Sequence, residues 1–202
     1  SSAAISFLLA VILLLLSGFP MRRLSISVAI IITLMIISIL LTPYQRDRFL
    51  GHFTGGEIAN NTVYQKKQSI LAFARGGYLG VGLGQGQQKM GFLPEPHTDS
   101  ILATIGEESG LIGVTFLFLL YLFFALRAAN GLLRVGDEYL SLVGWGLLIS
   151  IIIQFLLHVT INVGLLPHTG DPMPFLSYGG SSLLVHTWGG TLLWRIVHEE
   201  SS

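Results

Sequence analysis

Leu93–Glu108, LPEPHTDSILATIGEE, places Glu95, His97, Asp99, Glu107 and Glu108 at the head of a long apolar run. Ionisable groups at a membrane boundary are costly, so these five are candidate functional residues by default. The surrounding composition makes the boundary real. Hydrophobic residues are 51% of the 202 and charged residues only 11%, with a mean hydropathy of +0.70. Soluble domains carry about a quarter charged residues. Lys+Arg and Asp+Glu balance at 11 each, so no bulk charge points to nucleic acid. The absence of cysteine removes disulfides, thiolate metal sites and cysteine nucleophiles together. The expected fold is all-α, a polytopic transmembrane helix bundle.

Working outward from this stretch, apolar runs of spanning length predict about five spans, at 3–19, 24–41, 101–126, 139–161 and 181–197. Short loops carrying Arg22 and Arg23, Arg127 and Arg134, and finally Arg195 fall on one side, which the positive-inside rule makes cytoplasmic. The polar segments 44–99 and 162–180 are then extracytoplasmic loops. The longer one holds six of the eleven basic residues, but long loops translocate largely regardless of charge. Within it, Thr62–Arg75 predicts an interfacial helix with Val63, Ile70, Leu71 and Ala74 on one face. Five spans and a first residue other than Met suggest one membrane domain that is a piece of a longer chain.

Several residues admit a chemical and a structural reading. Thr98 or Asp99 is placed to cap the third span, and His97 to be a solvated loop histidine. Glu107 and Glu108 lie about 9–10 Å along that helix from Ile101, deep enough to need partners or a watery cavity. The glycine run from Gly76 to Gly86 matches no nucleotide-binding pattern and reads as a flexible loop. Arg46, Arg48, Arg75 and Lys89 share the side of Asp99 and suit a phosphate or pyrophosphate; solvated loop charge is the plainer reading. Ser177-Tyr178-Gly179-Gly180-Ser181 opens the last helix, where a helix N-terminus can hold an anion or Ser181 can simply cap.

The stretch LPEPHTDSILATIGEESGLIG resembles the signature loop and following helix of the SEDS family, the FtsW/RodA/SpoVE proteins of bacterial cell-wall synthesis. The likeness continues through TPYQRDRF and VYQKKQSILAFARGGYLGVGLGQGQQKMGFLPE upstream, and INVGLLPHTGDPMPFLSYGGSSLL downstream. It implies helices six to ten of a ten-helix fold in the bacterial inner (cytoplasmic) membrane, with the large loop extracytoplasmic. It implies peptidoglycan glycosyltransfer, polymerising lipid II with a class B penicillin-binding protein as partner, and it makes Asp99 the essential carboxylate. Ser100 stands where the family usually has phenylalanine, and Ser109 where it has leucine. INVGLLPHTG leans toward the elongation type and GLGQGQQK toward the division type.

The chemistry that follows is attack of a sugar hydroxyl on the anomeric carbon of a pyrophosphate-linked donor. Asp99 would serve as general base or as a ligand to a divalent cation, Mg or Mn; both roles stay open here. Glu95, His97, Lys89 and the three arginines would receive substrate or pyrophosphate, with Glu107 and Glu108 as cavity or structural acids. Two other classes compete. A flippase would use Glu107 and Glu108 to line a path for the lipid-linked precursor, and a scaffold would only dock a synthase.

Overall fold

The structure, a computed structural model, describes residues 9–15, 17, 20, 25, 26, 28–30, 33, 60–87, 98–166 and 170–199. The described residues fold into helices without strands. Four helices carry the site: α1 (Asn60–Gly76), α2 (Ile101–Leu132), α3 (Glu138–Asn162) and α4 (Gly180–Glu199). Of the first two expected spans, the described residues 9–15 and several between 25 and 33 are helical; the rest of both lies outside the described residues. Leu13 of the first packs on α3, where a Cβ on Gly146 would stand 3.1 Å from it.

Both α2 and α3 are long and apolar enough to cross a membrane, and only 11% and 28% of their most apolar windows are buried. A soluble core helix would hide that surface. Phe116, Leu119, Leu122, Phe123 and Leu126 stand more than half exposed along α2. The protein is a helical membrane protein.

The third expected span differs from what the apolar run suggests. It continues past Leu126 to Leu132, because Ala128 and Leu132 are buried in a core cluster with Leu148 of α3 and Leu193 and Ile196 of α4. The connection to α3 contracts accordingly, and Asp137 Oδ1 caps α3 by accepting from Leu140 N at 2.8 Å. More important, α2 is broken at Gly110, whose φ of 64° and ψ of −164° are non-helical. A left-handed φ is costly for any residue with a Cβ. The break leaves residues 111–132 as a helix that, at ~1.5 Å per residue, by itself matches a hydrocarbon core of ~30 Å. Residues 101–109, with both glutamates, form a separate stretch before it.

α1 occupies the expected place, but a different face of it is buried. Ser69, Ala72 and Gly76 are inward, whereas Ile70, Leu71 and Ala74 of the expected apolar stripe are exposed. Small residues win because the backbones nearly touch: a methyl on Gly76 would run into the Gly106 carbonyl. Ala72 packs on Ala103, with Phe73 beside them.

Candidate functional site

Asp99 lies where the two polar loops meet. Helix α2 begins one residue after its cap position, Ser100, so the cap falls later than Thr98 or Asp99. The backbone around Asp99 is tied down from the end of α3 and from the second loop. Asn162 Nδ2 donates to Asp99 O at 3.1 Å and to His158 O at 3.0 Å. Ser177 Oγ donates to Thr98 O at 2.7 Å and accepts from Met173 N, also at 2.7 Å. Next to the carboxylate is the bare backbone of Gly170, where a Cβ would stand 3.4 Å from Asp99 Oδ2. Asp171, the next residue, is buried, and its carbonyl accepts from His158 Nδ1 at 3.0 Å.

Helix α3 supplies these ties through a polar ladder. Gln154, His158 and Asn162 recur every four residues and therefore share one face. The lowest rung, Gln154, meets His186 Nε2 of α4 at 2.6 Å. His186 Nδ1 lies 2.7 Å from the Ser182 carbonyl. The Ser182 carbonyl only accepts, so it takes the Nδ1 proton, and the partner at Nε2 is Gln154 Oε1. The second and third rungs hold Asp171 and Asp99. None of Asn162, Asp171 or Gly170 stood out in the sequence; the four-residue spacing of polar side chains on an apolar helix was the available signal.

The second loop is pinned from below by aromatic groups. Tyr121 Oη donates to the Pro174 carbonyl while its ring stacks on Phe155 with centroids 4.0 Å apart. Phe175 has a φ of 64°, the sole positive value among the described non-glycine residues. Its ring lies edge-on to Phe124 and His186, with centroids 6.1 and 5.9 Å away. Backbone held in so sparsely populated a region persists only where packing imposes it.

The other expected site residues divide. Glu107 and Glu108 hold the glycine segment, which is not the flexible loop the sequence suggested. Gln87 N donates to Glu107 Oε1 at 3.1 Å, and Gly84 N to Glu108 Oε2 at 3.0 Å. Val81 N and Gly82 N donate to the backbone carbonyls of Glu107 and Glu108, while Leu111 N and Ile112 N donate back to Gly77 O and Tyr78 O. The segment thus bridges the break at Gly110 and satisfies groups a broken helix would leave unpaired. Arg75 Nη1 donates to Gln87 Oε1 at 3.1 Å and lies 3.9 Å from Glu107 Oε1. That puts it at the far end of residues 101–107 from Asp99, about 10 Å away by helical rise.

Tyr178 is exposed. α4 starts at Gly180 after the Gly179 carbonyl accepts from Leu183 N, so Gly179 rather than Ser181 takes the cap position, and Ser181 is exposed in the first turn. Arg46, Arg48, Lys89, Glu95 and His97 lie outside the described residues. Among the described residues no three His, Asp or Glu side chains are grouped to hold a metal ion.

The chain is 38% identical over 187 residues to a probable peptidoglycan glycosyltransferase FtsW of Geobacter metallireducens, covering 93% of this chain and 50% of that protein. It is 36% identical over 191 residues to the probable peptidoglycan glycosyltransferase FtsW of Francisella salina, covering 93% and 47%. The corresponding Legionella pneumophila protein is 35% identical over 190 residues, covering 93% and 48%. The chain therefore spans about half the length of the relatives it matches. The family model for FtsW, RodA and SpoVE, described as cell cycle protein, matches residues 1–202, and the chain belongs to that family.

Proposed function

We propose that this chain is the half of a peptidoglycan glycosyltransferase that carries the catalytic carboxylate, polymerising lipid II at the extracytoplasmic face of the bacterial inner membrane. The observation that supports it best is the placement of Asp99. The carbonyls of Thr98 and Asp99 are hydrogen-bonded by Ser177 of the second loop and Asn162 of α3, and Asp99 Oδ2 faces the uncovered backbone of Gly170. A carboxylate so oriented, at the junction of two polar loops, suits a general base. It takes the proton from the attacking sugar hydroxyl as the new glycosidic bond forms at the anomeric carbon, and the lipid pyrophosphate departs with the bonding electron pair. Pyrophosphate is a good leaving group and needs positive charge more than an acid. Lys89, Arg46, Arg48 and His97 are the proposed sources, and Glu95 is a further proposed substrate contact. Arg75 is already engaged by Gln87 and Glu107.

The base role is the one carried forward for Asp99. A Mg or Mn ion bound there with groups from outside the described residues is the alternative for the same side chain. The two glutamates are occupied with backbone amides, and Glu107 is 1% exposed, which favours a structural task over lining a transport path. The class B penicillin-binding protein partner belongs to the same proposal. The family description favours cell division as the setting.

The test uses the full-length protein with its partner and lipid II. Asp99→Asn keeps size and polarity and removes the base, and polymerisation should fall about 10²- to 10⁴-fold while the protein folds and binds its partner as before. Unchanged polymerisation by Asp99→Asn refutes the catalytic assignment. Precursor movement in liposomes that depends on Glu107 would instead support the transporter.

A further inference from the structure

Beneath Asp99, the described residues leave three buried side-chain atoms without hydrogen-bond partners: Ser69 Oγ, His158 Nε2 and Asn162 Oδ1. Their residues are at most 1% exposed. Buried polar atoms are nearly always paired, and orphans call for an explanation. The partners these atoms already have decide what is missing. Both acceptors facing Asn162 Nδ2 are carbonyls, so the amide orientation is fixed and Oδ1 is an acceptor. His158 Nδ1 faces the Asp171 carbonyl and must be the protonated nitrogen, leaving the lone pair of the neutral ring on Nε2. Two acceptors therefore want donors. Ser69 brings a hydroxyl that can donate or accept.

Helix register places the three residues at neighbouring levels. His158 and Asn162 are four residues apart on one face of α3. Ser69 comes to them by the register of α1. Lys66, a turn before it, lies against Gly164 just past the end of α3, and Ala72, a turn after it, packs on Ala103. Ser69 therefore sits between those levels, which is the level of Asp99 and Asn162.

We propose that Ser69 Oγ, His158 Nε2 and Asn162 Oδ1 enclose one internal water molecule that joins α1 to α3 under Asp99. Water matches the inventory. Its two protons go to Nε2 and Oδ1, and its oxygen accepts from the serine. Internal waters typically make two to four such bonds, about three on average. A cation fits less well, since the three groups offer no negative charge. The water would complete the frame in which Asn162 holds the Asp99 carbonyl and His158 holds that of Asp171. This inference is independent of the role assigned to Asp99.

A cryo-electron microscopy map of the full-length protein with its partner, sharp enough to show ordered water, is the test. One peak about 2.6–3.2 Å from all three atoms is expected. An empty position, a side chain from another segment filling it, or a peak with ligand distances of about 2.0–2.4 Å, as for a metal ion, overturns the proposal. Ser69→Ala provides a second measurement. It should weaken the peak and lower the melting temperature in detergent by about 2–4 °C, with Ser69→Thr restoring both. If Ser69→Ala leaves peak and melting temperature unchanged, the serine is not a ligand and the site as drawn is wrong.

Discussion

The Ser177 hydroxyl joins the two polar loops at a single point, donating to the Thr98 carbonyl while it accepts the Met173 amide, both at 2.7 Å. The position of Asp99 thus depends on a serine 78 residues further along the chain. Ser177→Ala strands a buried amide and leaves Thr98 O without that donor, at a cost of about 1–3 kcal/mol. The expected result is a lower melting temperature together with reduced polymerisation. Ser177→Thr, which keeps the hydroxyl, should lose less of both. Equal behaviour of the two variants would mean that the hydroxyl is not the tie.

Gly170 tests the space beside the carboxylate. Its φ of 74° is disfavoured for side-chain-bearing residues, and a Cβ would stand 3.4 Å from Asp99 Oδ2. Gly170→Val adds a branched side chain where one is both strained and in the way. Turnover should fall at least about tenfold, the equivalent of 1.4 kcal/mol in the barrier, with a smaller loss in folding measured by thermal unfolding. Full turnover would show that the substrate does not approach Asp99 across Gly170.

Much of this arrangement is legible in the residues, and the exceptions share a cause. Apolar runs locate α3 to within one residue at each end and also the start of α2, because spanning length and composition are properties of a local stretch. What eludes local reading is set by distant partners. The buried face of α1 is its small face, since Gly76 and Ala72 permit close approach to Gly106 and Ala103, while Ile70 and Leu71 point away. Gly110 and Gly113 look alike in an apolar run, yet only Gly110 adopts a positive φ. Glu107 and Glu108 find their partners 20 and 24 residues upstream, in a segment whose glycines read as flexibility. The roles of Asn162 and Asp171 appear only once two loops are brought together.

Tyr121 offers a smaller, separable effect. Tyr121→Phe keeps the ring stacked on Phe155 but removes the donor to the Pro174 carbonyl. A buried hydrogen bond of this kind contributes about 0.5–1.5 kcal/mol. Thermal unfolding should register that loss, and hydrogen exchange should rise in residues 171–177. Tyr121→Ala also loses the stacking and should cost about 3–5 kcal/mol, the range for large aromatic truncations.

The glutamate pair and Arg75 can be ranked by burial. Glu107 is 1% exposed and accepts the Gln87 amide, so Glu107→Ala removes a bond made to a buried carboxylate. A loss of about 1.5–3 kcal/mol follows, with faster proteolysis of residues 80–87 as its local signature. Glu107→Gln keeps an acceptor and should retain part of the stability. Arg75 is a weak partner by comparison, 47% exposed and 3.9 Å from the carboxylate. Solvent screens such a pair to about 0–1 kcal/mol, so Arg75→Ala should change the melting temperature little. If Arg75→Ala proved as damaging as Glu107→Ala, the carboxylate would be held by the ion pair and not by the loop amide, and the glycine segment would lose its role as the clamp on the broken helix.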